Sequence, residues 1–123
     1  MNGAPFQPAM AVGLGLPRTY FDELAAGLQR TRDRLVEALV EVGFTTYVPE
    51  ATYFVTADIR PVDPSGDGMA FCRGLPERAG VVAIPNEVFY ARPQFGRHLV
   101  RFACCKRPAV IEEAALRLAK GFA

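Results

Sequence analysis

Leu99-Val100-Arg101-Phe102-Ala103-Cys104-Cys105-Lys106-Arg107 is an apolar, β-prone run with an arginine near its middle. In a strand, successive side chains alternate faces. Val100, Phe102 and Cys104 then point one way, and Leu99, Arg101, Ala103 and Cys105 the other. Arg101 thus stands on a surface otherwise fit for burial. A guanidinium is always charged and needs an anion, a hydrogen-bond acceptor or a route to solvent. Three partners are open to it: an internal carboxylate, water reached by snorkelling, or a ligand carboxylate gripped by its planar fork.

Working outward from this strand, Pro108 suits the first position of a final helix, with Glu112 and Glu113 in its first turn, Lys120 in its last and Gly121 ending it. Val110, Ile111, Ala114, Ala115, Leu118 and Phe122 supply its apolar side. Upstream, Val81-Val82-Ala83-Ile84 reads as a short buried strand closed by Pro85. The loop 86–96 carries Phe89, Tyr90, Pro93 and Phe95, aromatics that either flank a pocket or pin the loop to the core. Residues 69–73 suggest a short helix interrupted by Gly74 and Pro76. Residues 60–68 are a loop by composition, and 52–57 and 44–48 read as strands.

The long helix is the most secure element. Leu24, Leu28, Leu35, Leu39 and Val42 recur at helical spacing. Thr19 and Asp22 fit a capping box at its start. Gly43 suits its C′ position, and Phe44 can fold back on Leu39. Arg30, Arg32 and Arg34 alternate with acids, which marks a solvated face rather than a phosphate site. Pro8 to Leu14 can form a short apolar helix that lies against something. This order of elements points to an α+β two-layer sandwich, with the long and C-terminal helices covering one face of a small sheet.

Composition excludes several classes of function. The 123 residues suffice for one domain, and a net charge of +1 argues against a general nucleic-acid binder. No apolar run approaches the roughly 20 residues of a membrane span. Residues 1–5 lack the basic region of a secretory signal, so a cytoplasmic location is expected. Cys72, Cys104 and Cys105 fit neither a zinc site nor a disulfide framework and read as reduced thiols. His98 is the only histidine, so no multi-histidine metal site exists. The two lysines, Lys106 and Lys120, lie in contexts that do not predict an enclosed, pKa-depressed amine. No self-sufficient catalytic constellation is present, and no catalytic residue or metal ligand is assigned.

Three segments nonetheless occur in a familiar order: Pro49-Glu50-Ala51-Thr52-Tyr53-Phe54, then Gly80-Val81-Val82-Ala83-Ile84-Pro85 with Phe89 beyond, then Val100-Arg101-Phe102-Ala103-Cys104-Cys105-Lys106. Together with Gly3 to Pro8 they resemble the C-terminal small domain of class I/II, fold type I, pyridoxal-phosphate-dependent aminotransferases, nearest the kynurenine, methionine and N-succinyldiaminopimelate group. The resemblance implies a small, mainly antiparallel sheet, with residues 1–17 as an interdomain segment and 18–123 as the small domain. It implies that Arg101 grips the substrate α-carboxylate, that Tyr53 lies near the substrate entrance, and that Phe89 belongs to a loop that closes over the substrate. Asn86-Glu87 departs from the small residues usual in that loop.

The family's cofactor-holding lysine, its aspartate and most of its phosphate cup belong to a large domain upstream. The chain therefore resembles a fragment, inactive alone. No cofactor-binding residue is expected in it, and its partners would be the missing large domain, an amino-acid or 2-oxo-acid substrate, and a second copy in a dimer or other homo-oligomer. The alternative is a standalone binding module that self-associates through apolar surface, with residues 1–17 the chief contributors.

Overall fold

The structure is a computed structural model that describes residues 3–123; Met1 and Asn2 of the 1–17 segment lie outside the described residues. The described residues form four α-helices and one four-stranded sheet. The helices are α1 (Gln7–Leu14), α2 (Arg18–Val42), α3 (Gly68–Ala79) and α4 (Pro108–Gly121), and the strands are β1 (Thr45–Tyr47), β2 (Phe54–Asp58), β3 (Ile84–Pro85) and β4 (Leu99–Ala103). The strand order is β1-β2-β4-β3, and every neighbouring pair is antiparallel. The fold is the expected α+β two-layer arrangement.

Alternation along β2 and β4 divides the sheet into two faces. Val55, Ala57, Val100 and Phe102 are buried under the helices with Leu35, Leu39, Leu75, Ile111 and Leu118. The opposite face carries Phe54, Thr56 and Arg101, and Thr56 stands directly across from Arg101 in the β2–β4 register. No helix of the core layer covers this side, and Arg101 is half-buried there.

The end of α2 shows how the sequence sets the turn into the sheet. Gly43 adopts a left-handed φ of 106°, which a side chain resists. Its amide bonds Val40 O at 2.9 Å and the Phe44 amide bonds Leu39 O at 3.0 Å, the paired bonds of a Schellman motif. Phe44 is thereby driven into the core, where it meets Phe71, Phe102 and Phe122 edge-on.

Several local expectations are corrected. α2 begins at Arg18 behind Pro17, and no side chain caps it, so Thr19 is already inside the helix. Asp22 pairs with Arg18 at 3.0 Å instead of completing a capping box. α3 is not interrupted: Pro76 forgoes one backbone bond, but Phe71, Leu75 and Ala79 bury the same face and hold the helix through it. Its true start is Asp67, whose carboxylate accepts from the Ala70 amide at 2.9 Å. Glu112 and Glu113 lie beyond the first turn of α4 and bond Arg34 and Arg117. The expected buried strand 81–84 is only the two-residue edge strand β3; Ala83 enters the core, whereas Val82 is 73% exposed.

The apolar stripe of α2 is covered only toward its C-terminal end. Leu35 and Leu39 are buried, while Tyr20, Phe21 and Leu24 are exposed. α1 presents Met10, Val12 and Leu14 to solvent, and Phe6 before it is exposed too. Among the described residues, no helix is long and apolar enough to cross a membrane.

Candidate functional site

The uncovered sheet face is built around Arg101. β4 places its side chain between two rings: the guanidinium carbon lies 3.7 Å from the Phe89 ring centroid and 4.8 Å from that of Phe54. Phe54 comes from the facing residues of β2, and Phe89 from the single 3₁₀ turn Asn86–Phe89 that follows β3. Among the described residues, the Arg101 side chain makes no hydrogen bond and no ion pair. The internal carboxylate that the sequence left open is therefore not what holds it. Two aromatic faces attract the cation and restrict its rotation while its N–H edge keeps its donors free. A restrained guanidinium with an unused fork is suited to a planar anion such as a carboxylate.

The carboxylate that β2 places on this face, Asp58, is committed elsewhere. Asp58 is almost wholly buried and takes both the backbone amide and the guanidinium of Arg60. Burial pushes its carboxyl up, but the Arg60 side-chain and backbone bonds outweigh burial and hold it below the ordinary carboxylate range. This pair fixes the turn after β2, with the His98 ring 4.0 Å from the same carboxylate.

Tyr53 precedes β2, is 56% exposed, and packs edge-on against Phe54 with ring centroids 5.7 Å apart. Its carbonyl accepts from the Cys104 amide at 2.8 Å, which ties it to the end of β4. Thr52, just before it, has φ 76°, an uncommon conformation for a β-branched residue. Phe89 is 56% exposed and stacks on Arg101, whereas Tyr90 crowds Gly96 and pins the following loop. Of the three residues singled out in the sequence, Arg101 and Phe89 are in contact on this face, and Tyr53 packs against the neighbouring Phe54 ring.

Two further residues complete the face. Phe54 stands across from Ala103 and reaches the Arg101 side chain diagonally, a placement that depends on register. Asn86 is 8% exposed, and its Nδ2 donates to Thr56 Oγ1 at 3.5 Å.

Both lysines lie elsewhere. Lys106 is exposed at the end of β4 and lines a groove of about 640 Å³ between α2 and α4, beside Leu24, Leu28, Arg34 and Ile111. Lys120 is exposed in the last turn of α4. Arg101 does not line that groove. Among the described residues, no cluster of three metal-ligating side chains is present.

Comparison with known proteins completes the picture. Residues 4–118 match the family described as aminotransferase class I and II. The chain is 41% identical over 127 residues to a probable N-succinyldiaminopimelate aminotransferase, DapC, of Mycobacterium tuberculosis, covering 96% of this chain and 32% of that protein. It is 35% identical to the methionine aminotransferase of Escherichia coli, covering 93% of this chain and 29% of that one. The solved structure of N-succinyldiaminopimelate aminotransferase from M. tuberculosis superposes with a TM-score of 0.86 at 42% identity, over 97% of this chain and 31% of the other. The chain spans about a third of the length of these relatives.

Proposed function

This chain belongs to the class I and II aminotransferase family, and we propose that it supplies the substrate-binding arm of such an enzyme, with Arg101 holding the carboxylate of an amino acid and of the matching 2-oxo acid. The observation that carries this reading is the guanidinium held between Phe54 and Phe89 with no carboxylate of its own. Two parallel N–H···O bonds fix a carboxylate in plane as well as in position. Orientation of that kind lowers the barrier of a reaction carried out on the neighbouring carbon. Phe89 restrains the arginine from the loop side, Phe54 from the sheet, and Tyr53 borders the entrance. Residues 1–17 are proposed to link to the rest of the enzyme and 18–123 to form its small domain.

Transamination in this family draws its electron sink from pyridoxal phosphate. The residues described here do not fit that cofactor. Neither lysine is enclosed, and neither lies on the Arg101 face. We assign the cofactor to a part of the enzyme outside these residues, and the chain alone is expected to be inactive. The relatives' names cite different amino acids: N-succinyldiaminopimelate, kynurenine and methionine.

Cofactor capture tests this division of labour. The purified chain is mixed with pyridoxal phosphate, reduced with borohydride and mapped by mass. Scattered labelling of Lys106, Lys120 and the amino terminus is expected. A single stoichiometric adduct on one lysine, blocked by an amino acid, would overturn the assignment.

A second reading, a self-associating binding module, draws on the exposed Phe6, Met10, Val12 and Leu14. Apolar residues grouped in this way mark a contact surface. Size measured against concentration separates the two readings: association that persists when the remainder of the enzyme is supplied favours contact between copies, and association that it abolishes favours contact with the remainder.

A further inference from the structure

Asn86 is the single point among the described residues where a buried side-chain polar atom lacks a partner: its Oδ1 bonds nothing. Buried polar groups are nearly always paired, and an unpaired one weakens the fold unless something else completes it. Rotating the amide by half a turn exchanges oxygen and nitrogen but still leaves one of them without a partner.

The place of this defect gives it meaning. Ile84 and Pro85 pair with Arg101 and Val100, so Asn86 follows directly beside β4. Its amide reaches Thr56, and Thr56 is the residue opposite Arg101 on the uncovered face. The same short turn carries Phe89 over the guanidinium. Asn86 Oδ1 itself has almost no exposed surface, so a substrate side chain meets it only when the turn, whose Val88 and Phe89 are more than half exposed, shifts outward. One chain segment therefore holds both the ring that restrains the carboxylate-binding arginine and an amide with half of its hydrogen bonds unmade.

We propose that Asn86 is a specificity-determining residue, whose unpaired amide atom takes a hydrogen bond from the side chain of the amino acid held at Arg101. It favours substrates whose side chain carries an amide or similar hydrogen-bonding group over hydrocarbon side chains of the same length. The proposal rests on the reading of Arg101 as the carboxylate site. A substrate anchored there extends across the face bounded by Thr56 and the 86–89 turn. A side-chain amide offers both a donor and an acceptor, so it completes Asn86 in either orientation. Sites built to hydrogen-bond a substrate reject the analogue that cannot do so, because the protein's own polar group is then left unpaired.

Two measurements on Asn86→Leu test this, since leucine keeps nearly the same shape without the amide. The first is thermal unfolding of the chain itself. An unpaired amide predicts an unchanged or higher Tm. A fall of several degrees, about 4 °C or more, would mean that the amide is satisfied within the fold and would overturn the proposal. The second is kcat/KM for glutamine against norleucine in the complete enzyme. Loss of one neutral hydrogen bond predicts that the ratio falls about tenfold. An unchanged ratio would overturn the proposal. Arg101→Lys, assayed alongside, separates the two layers of inference: it lowers kcat/KM for both amino acids if Arg101 binds the carboxylate, and leaves both unchanged if that reading fails.

Discussion

Removing the Phe89 ring isolates what holds the guanidinium in place. The ring lies 3.7 Å from the Arg101 guanidinium carbon, against 4.8 Å for Phe54, so Phe89 is the stronger of the two restraints. A cation over an aromatic face contributes roughly 0.5–1 kcal/mol at exposed sites and about 2 kcal/mol when desolvated. Phe89 is more than half exposed and Arg101 half-buried, which places the contact near 1 kcal/mol on that scale. Freed of the ring, Arg101 would have to be ordered by the substrate at the substrate's expense. Phe89→Ala should therefore raise KM for the amino acid about fivefold, with kcat nearly unchanged, in steady-state assays of the complete enzyme. Phe89→Leu should behave like the alanine variant, since it restores apolar bulk but not the ring's negative face. The Tm of the chain should fall by about 4 °C, because the same contact of about 1 kcal/mol is lost from the free fold. An unchanged KM in both variants would refute the clamp. A leucine variant equal to wild type would show that bulk, not the π face, does the holding.

Three further outcomes follow from the packing and the charges. The Asp58 carboxyl is held below its ordinary value of 3.8 in the folded chain, so the stability it contributes is present above pH 3.8 and is lost as pH falls through its folded value. Urea unfolding followed from pH 6 downward should show that loss in the wild type, and Asp58→Asn should flatten the profile in that window. A Cβ on Gly121 would lie 2.7 Å from the Ala79 Cβ and 3.0 Å from the Arg78 carbonyl, where α4 and α3 touch, so Gly121→Ala should destabilise the chain by about 1–3 kcal/mol in the same titration. Burial pushes the Cys72 thiol up to about 11 and also raises that of the buried Cys104, so brief alkylation at pH 8 should label the exposed Cys105 first and leave the other two for the unfolded chain.

What could be read from the sequence was local or strictly periodic. Gly43 followed by an apolar Phe44 announces a helix end, and the structure places both in a Schellman motif. Leu35 and Leu39 at helical spacing mark the buried end of α2. The same pattern does not tell that Leu24 is uncovered, because exposure there depends on what lies above the helix. Thr19 carries good capping chemistry, but Pro17 fixes the chain one step earlier and starts the helix at Arg18. Pro76 looks like a helix breaker, yet the burial of Phe71, Leu75 and Ala79 outweighs its one missing bond. At the candidate site, Arg101 stood out as a charge on an apolar strand. Its aromatic clamp did not, since Phe54 and Phe89 come together only through sheet register and the turn after β3. Asn86 stood out only as a departure from the small residues of the family loop, and the burial of its amide depends on how the turn packs against β2.

The most direct test of the central claim is Arg101→Lys in the complete enzyme. Lysine keeps the positive charge but loses the planar fork. If Arg101 grips the substrate carboxylate, KM for the amino acid and for the 2-oxo acid should both rise about tenfold or more, the equivalent of one lost charge-assisted hydrogen bond. The Tm of the chain should stay near the wild-type value, since Arg101 has no ion pair to lose among the described residues. Unchanged KM values for both substrates, in a variant that folds normally, would contradict the account.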